Sequence, residues 1–404
     1  MKLKDTGLTK QELFALAADH MIQPYTRFPL IAESGKGQYV YDSDGKEYLD
    51  FYAGVAVTSC GHSDAEINNA IKQQIDAITH TSNYPYSVPQ VMLAQYICEH
   101  IGMDKIIFQN SGTEANEAMI KLARKYGVDK YGAHKYEIIT ALNSFHGRTL
   151  GALAATGQPD SALHKGFAPL LEGFKYAEYN NLASFEQAIT ENTIAIMVEP
   201  VQGEGGVYAA MAEFLTGLRK LCDEKGLLLL LDEIQTGWGR CGALMAYMDY
   251  GIKPDAVSMA KAMGNGLPIG AMAATDALAA AFTPGAHGTT YGGNPICCAG
   301  SLAAVKKIVG DELPQKAKKL GIYFQEQLMS LPHVKEIRGK GLLVGVEFDM
   351  PVADKLKMTC VKHGLLITSL GGATIRMVPP LIITKENIDT AIKIIQTALV
   401  EIYA

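Results

Sequence analysis

Lys261 closes the apolar run Ala256-Val-Ser-Met-Ala260 and stands just before the flexible Gly264-Asn-Gly266 loop. Upstream, Asp232-Glu-Ile-Gln235 ends the run Leu227-Leu-Leu-Leu-Leu231. A lysine held in apolar surroundings has its charged form disfavoured, which leaves its amine nucleophilic near neutral pH. An acid that keeps a heterocyclic nitrogen protonated is the natural companion of such a lysine. Together they are what pyridoxal phosphate requires, a Schiff-base amine and a ring able to act as an electron sink. An Ala-Lys dipeptide alone more often marks a surface lysine after a strand, because short matches carry a high false-positive risk. The remaining clusters reverse that weighting.

Asn110-Ser-Gly-Thr-Glu114 runs into helically spaced Ala115, Met119, Ile120, Leu122 and Ala123. A helix start of this kind offers backbone N–H groups, a positive dipole and the Ser111 and Thr113 hydroxyls to a phosphate. Ser111 and Glu114 also have capping-box spacing and could simply close the helix. In Ser144-Phe-His-Gly-Arg148, Phe145 could stack on a planar ring and Arg148 could hold a carboxylate through two parallel bonds. A core phenylalanine and a surface ion pair are the plainer alternatives. Glu199 and Glu204 lie five positions apart in a Gly-rich stretch that allows close backbone approach or forms a surface turn. Thr289 and Thr290, in His287-Gly-Thr-Thr-Tyr-Gly-Gly-Asn-Pro295, could cap a phosphate or line a solvent loop. Arg376 sits in an apolar, β-like run where a guanidinium needs an acidic partner or a ligand. Gly237-Trp-Gly-Arg-Cys-Gly242 matches the Gly-x-Gly-x-x-Gly pattern. Asp232 to Thr236 intervene between strand and first glycine, where a dinucleotide site needs a tight turn straight into a helix, so we read no NAD site there.

The elements that must position these groups follow from periodicity and turn residues. Thr9-Lys-Gln-Glu12 is a capping box for a helix reaching about Met21. Gln38–Asp42 and Glu47–Phe51 flank Asp44-Gly45 as a hairpin, and Ala65–Ile78 has helical spacing. From there to about Ala274, β-rich runs at Lys105–Gln109, Glu137–Ala141, Ile194–Glu199, Leu227–Asp232 and Ala256–Met259 alternate with helical segments, as in an α/β domain around a mainly parallel sheet. Five of the polar clusters fall at the carboxyl ends of those strands, where such sheets bind ligands. A helix at Gln315–Met329, a strand at Gly341–Phe348 and a helix at Lys385–Tyr403 complete the chain. We expect residues 1–60 and 301–404 to form a small α+β domain and 61–300 a large cofactor-binding domain.

The chain has 404 residues, enough for a core that buries a cofactor, with 48% hydrophobic and 19% charged residues and a net charge of -6. No long basic run occurs, which argues against nucleic acid and membrane surfaces as partners. The N-terminus lacks an apolar signal segment, and the expectation is a cytoplasmic protein. Seven scattered cysteines without a Cys-x-x-Cys pair fit reduced thiols, and the dispersed histidines lead us to expect no metal. His62, His80 and His100 read as polar surface or loop residues.

Taken together, Asn110–Glu117, Phe145–Thr149, Glu199–Glu204, Asp232–Gly237, Ala260-Lys261 and Tyr291–Pro295, in this order and spacing, resemble the class III aminotransferases of pyridoxal phosphate fold type I. The likeness runs from about Phe28 to the C-terminus and is strongest to the branch acting on ornithine and its acyl derivatives. That resemblance implies Lys261 as Schiff-base lysine and proton carrier, Asp232 on the pyridinium nitrogen, Gln235 near the ring hydroxyl, and Phe145 and Ile234 on the two ring faces. It places Ser111, Gly112, Thr113 and His146 in the cofactor site, with Thr289 and Thr290 reaching in from the partner of a homodimer with shared sites. Arg376 would grip the carboxylate of glutamate or 2-oxoglutarate, Glu204 would neutralise Arg376 when the other substrate is bound, and Arg148 would hold the donor's α-carboxylate; apart from the resemblance, Tyr84 and Tyr86 are expected to border the acyl group. The implied reaction is ping-pong transamination from N-acetylornithine to 2-oxoglutarate. Ornithine, succinylornithine, succinyl-diaminopimelate and 4-aminobutyrate are alternative donors, and a non-catalytic cofactor-binding regulator is the alternative of another class. Trp238 and the Asn83-Tyr-Pro-Tyr86 loop depart from the commonest family pattern.

Overall fold

The computed structural model describes residues 1–403. The N-terminal helix Lys10–His20 begins at the expected capping box, in which Thr9 Oγ1 accepts from the Glu12 amide. Strands β1 (Ala32–Lys36), β2 (Tyr39–Asp42) and β3 (Glu47–Asp50) then form an antiparallel meander. Strands and helices alternate beyond it: β4 (Lys105–Gln109), β5 (Glu137–Ala141), β6 (Phe174–Ala177) and β7 (Thr193–Val198). After the small hairpin of β8 (Val201–Gln202) and β9 (Tyr208–Ala209) come β10 (Leu228–Asp232), β11 (Ala256–Met259) and β12 (Gly270–Ala274). The last hundred residues add β13 (Val334–Lys340), β14 (Leu343–Phe348), β15 (Leu365–Leu366), β16 (Thr368–Ser369) and β17 (Thr374–Met377).

The central sheet has seven strands in the order β4-β12-β11-β10-β7-β5-β6. Parallel pairing joins β11, β10, β7, β5 and β6, whereas β12 runs antiparallel to both neighbours. The sheet is therefore mainly parallel, and β4 points the same way as β11. Its inner strands are buried along their whole length, as in β7 and β10, which is why they read as continuous apolar runs rather than alternating ones. Leu229, Leu230 and Leu231 are fully buried, and each contributes roughly 1.5–3 kcal/mol. That burial anchors the carboxylate at the end of the same strand.

The β1-β2-β3 meander is extended by β15, parallel to β3, so the two ends of the chain share one sheet. A second four-stranded sheet, β13-β14-β17-β16, carries Arg376 on β17. The helix Lys385–Tyr403 closes the chain over the bounds expected for it. Two readings need correction. The strand β12 lacks β-branched residues and was not expected. His62 is no free surface group: its Nε2 lies 2.7 Å from Oδ2 of the buried Asp50.

Candidate active site

The carboxyl ends of β4, β5, β7, β10 and β11 meet at one edge of the sheet and surround a cavity of about 450 Å³. Lys261 lines it directly after β11, in a left-handed backbone conformation (φ 47°) that an L side chain adopts only when its surroundings hold it there. Burial is the first cause that lowers its amine pKa below the ordinary lysine value, opposed by the nearby Glu204 carboxylate. The shift is in the direction that makes the amine a better nucleophile.

Across the cavity stands Asp232, at the end of β10 and 4% exposed. Three N–H groups fix its carboxylate. Asn116 Nδ2 donates to Oδ2 at 2.7 Å, His146 Nδ1 lies 2.8 Å from the same oxygen, and the Ile234 amide donates to Oδ1 at 3.0 Å. Thus His146, itself lining the cavity, orients Asp232. Asn116 was missed by sequence reading, although a buried asparagine among the apolar positions of Gly112–Tyr131 was a usable signal. Phe145 and Ile234 both line the cavity, which suits a planar ring.

The phosphate end is the start of the helix Gly112–Tyr131. Ser111 caps it by accepting from the Glu114 amide at 3.2 Å, so the capping role and the cavity position coexist. Glu114 reaches back to the Asn110 amide rather than to Ser111. The Gly112 and Thr113 amides open the helix and have no intrahelical acceptor, which makes them available to an anion. Two glycines keep the cradle open: a Cβ on Gly112 would lie 2.9 Å from Ile234 Cγ2, and one on Gly147 (φ 139°) only 2.2 Å from Thr113 Oγ1. Gly147→Ala is accordingly expected to cost about 1–3 kcal/mol of stability and to weaken cofactor retention at least ~10-fold. Equilibrium dialysis and thermal unfolding read the two effects, and a variant that keeps cofactor like the parent contradicts the cradle.

The charged groups beyond the ring form a second layer. Arg376 is 3% exposed and pairs with Glu204 in a short contact through Nη1, which also reaches Gly203 O at 2.9 Å and Gln235 Oε1 at 3.1 Å. Gln235 Nε2 in turn donates to Glu204 at 3.2 Å, while Arg376 Nε has no partner. Burial works to raise the Glu204 pKa, but Arg376 and Lys261 outweigh it and bring the carboxyl down to about 2. Being lowered, that group stabilises the fold fully above its ordinary value of 4.5, and the contribution is lost as the pH falls through about 2. Glu199 is the opposite case: burial, then the neighbouring Asp232, push its carboxyl well above the ordinary range, while the Phe145 amide donates to it at 3.1 Å.

Arg148 is exposed where it lines the cavity, with its guanidinium carbon 5.6 Å from the Phe145 ring centroid. Five of the expected residues do not line this chain's cavity: Glu204 and Arg376 stand behind its Gln235, and Tyr84 lies elsewhere with Thr289 and Thr290, the two threonines expected from a partner chain. Tyr84 is 98% exposed and lines a separate hollow together with Thr289 and Thr290. Its 82–91 segment packs near the 287–292 loop instead, and Asn83 Nδ2 donates to Thr289 O at 3.2 Å and Gly292 O at 2.9 Å. Thr289 Oγ1 is used within the chain, by Asn110 Nδ2 at 3.3 Å and the Gly292 amide at 3.1 Å. The glycine pattern at 237–242 opens no helix: turns follow β10, and Trp238 and Arg240 are fully buried.

A half-buried lysine whose pKa is lowered, a tethered aspartate and an anion-binding helix start around one cavity define an enzyme that works on pyridoxal phosphate. Comparison with known proteins makes the class specific. The chain belongs to the class III aminotransferase family, whose description, "Aminotransferase class-III", matches residues 21–399. An acetylornithine aminotransferase of Caldanaerobacter subterraneus subsp. tengcongensis is 46% identical over 387 residues, covering 95% of this chain and 98% of that protein. One from Methanocaldococcus jannaschii is 43% identical, covering 98% and 100%. Among solved structures, an ornithine aminotransferase of Toxoplasma gondii superposes with TM-score 0.94 at 32% identity, covering 99% of this chain and 97% of that one. The protein is a pyridoxal phosphate-dependent aminotransferase. Among the described residues no helix is long and apolar enough to cross a membrane, and no group of metal ligands gathers.

Proposed function

We propose that this protein moves the ω-amino group of N-acetylornithine to 2-oxoglutarate, yielding N-acetylglutamate semialdehyde and glutamate. The observation that carries this reading is an unequal pair of guanidinium groups, Arg148 lining the cavity and Arg376 set behind its wall through Gln235. Arg148 is exposed at the cavity, whereas Arg376 is buried and already neutralised by Glu204. A donor with a single α-carboxylate engages Arg148 and leaves the Arg376–Glu204 pair closed. A dicarboxylate such as 2-oxoglutarate draws on Arg376 once Glu204 swings aside, so one pocket serves two dissimilar substrates. The names of the acetylornithine aminotransferases at 43–46% identity support the same donor.

Bound pyridoxal phosphate supplies an aldehyde that accepts the amino group and a ring that withdraws electrons from the donor carbon. The chain's residues do the rest. Lys261 would hold the cofactor covalently between turnovers and carry the proton at the donor carbon. Asp232, fixed by Asn116 and His146, keeps the ring nitrogen protonated. Gly112 and Thr113 would hold the phosphate, while Phe145 and Ile234, which line the cavity, would confine the ring. A second copy of the chain completes the site in this reading, bringing its Thr289 and Thr290 to the phosphate in an isologous dimer. We take residues 1–60 with 301–404 as the lobe that carries Arg376 and 61–300 as the cofactor lobe.

Steady-state kinetics with N-acetylornithine, ornithine, succinylornithine and 4-aminobutyrate against 2-oxoglutarate test the assignment. N-acetylornithine is expected to have the highest kcat/KM, at least ~10-fold above 4-aminobutyrate, which lacks the α-carboxylate for Arg148. Turnover of 4-aminobutyrate with none of any ornithine derivative overturns the proposal.

A further inference from the structure

The segment after β3 contains a turn of rare geometry. Ala53, Gly54, Val55 and Ala56 all have positive φ, at 48°, 61°, 67° and 63°, so three side-chain-bearing residues, one of them β-branched, form a left-handed turn. Such a turn is disfavoured for L residues and persists only where neighbours over-determine it. The neighbours are clear. Asp50 Oδ1 accepts from the Tyr52 amide at 3.0 Å and the Ala53 amide at 2.7 Å, while Oδ2 lies 2.7 Å from His62 Nε2. The Asp50–His62 pair thus closes the 50–62 loop at its base.

This loop packs against the turn Lys261–Met263, and Val57 lines the same cavity as Lys261. One side chain stitches the two together. Asn265, itself left-handed at φ 44°, accepts from the Cys60 amide through Oδ1 at 2.8 Å and donates from Nδ2 to Gly61 O at 3.2 Å. Its own amide donates to Ala262 O at 3.3 Å, and the Gly264 amide donates to Lys261 O at 2.9 Å. The path from the Asp50–His62 anchor to the Lys261 backbone is therefore continuous. Backbone conformation alone does not require asparagine here, since glycine takes the same φ freely.

We propose that Asn265 is a positioning residue for Lys261: its amide clamps the lysine turn to the 60–61 peptide, with the Asp50–His62 pair as anchor, and so holds Lys261 in its left-handed conformation. The inference rests on Lys261 being the attachment lysine. In attachment the neutral amine adds to the cofactor aldehyde carbon, forms the C=N bond and releases the oxygen as water. A clamp that pre-orients the amine speeds that step without touching the phosphate cradle.

The test compares cofactor-free wild type with Asn265→Gly, which keeps the backbone region and deletes the clamp, and Asn265→Asp, which keeps the acceptor for Cys60 and loses the donor to Gly61. Growth of the visible absorbance band after adding pyridoxal phosphate reads attachment. Pyridoxamine phosphate, which has no aldehyde, reads cradle affinity alone. The expected result is attachment slowed about 10-fold in Asn265→Gly and by an intermediate factor in Asn265→Asp, with pyridoxamine phosphate affinity within about 2-fold of wild type. Wild-type attachment rates in either variant overturn the proposal, as does an equal loss of pyridoxamine phosphate affinity, which marks general loosening. A Lys261→Ala arm separates the underlying reading: cofactor that borohydride still fixes covalently to that variant refutes Lys261 as the attachment point, whatever Asn265 does.

Discussion

Lys261→Ala is expected to lower kcat by at least ~10³-fold for every donor, with no visible absorbance from covalently held cofactor. The substitution removes both the amine that holds the cofactor and the group that carries the proton. Among the described residues no other lysine lines the cavity to take its place. Because Ser111, Gly112, Thr113, Phe145 and Ile234 are untouched, pyridoxal phosphate should still bind without a covalent link. Stopped-assay kinetics and equilibrium dialysis measure the two halves. Activity within ~10-fold of wild type contradicts the role of Lys261, and a non-catalytic regulator predicts no turnover even in the wild type.

The second large effect belongs to Asp232→Asn, expected to reduce kcat by on the order of 10²–10³-fold while leaving the cofactor attached. The carboxylate now accepts from Asn116, the Ile234 amide and the His146 ring. An amide in its place presents an NH2 to donors at one of those positions and removes the negative charge facing the ring nitrogen. The visible band should persist, because Lys261 is unchanged, and this separates the variant from Lys261→Ala. Single-turnover rates with the best donor are the measurement. A rate close to wild type shows that the ring nitrogen does not depend on Asp232.

Much of this site could be read before any coordinates because its parts are local. Lys261 and Asp232 each follow an apolar run directly, so strand end and functional group are adjacent in the chain. Ser111 and Glu114 announce a helix start by spacing alone, although Glu114 finally bonds to Asn110. Arg376 was legible as a buried charge in need of a partner, and the resemblance named Glu204, 172 residues away. What escaped notice depends on tertiary context. Strand β12, Gly-Ala-Met-Ala-Ala, carries no β propensity and exists because β4 and β11 bond to both of its edges. The left-handed turn at 53–56 includes Val55, a residue type that argues against such a conformation, and only Asp50 and His62 acting from outside explain it. Tyr84 was read from the aromatic pattern of its loop, and in its own chain it lines a separate hollow with Thr289 and Thr290. Asn116 shows the same limit, since its bond to Asp232 spans 116 residues, whereas His146, expected in the cofactor site, does line the cavity.

The most direct test of the account is to reduce the cofactor-loaded protein with borohydride, digest it, and locate the modified lysine by mass spectrometry. The account predicts that the pyridoxyl group sits on Lys261 alone. Modification of a different lysine, or no modification of a protein that is active, contradicts it.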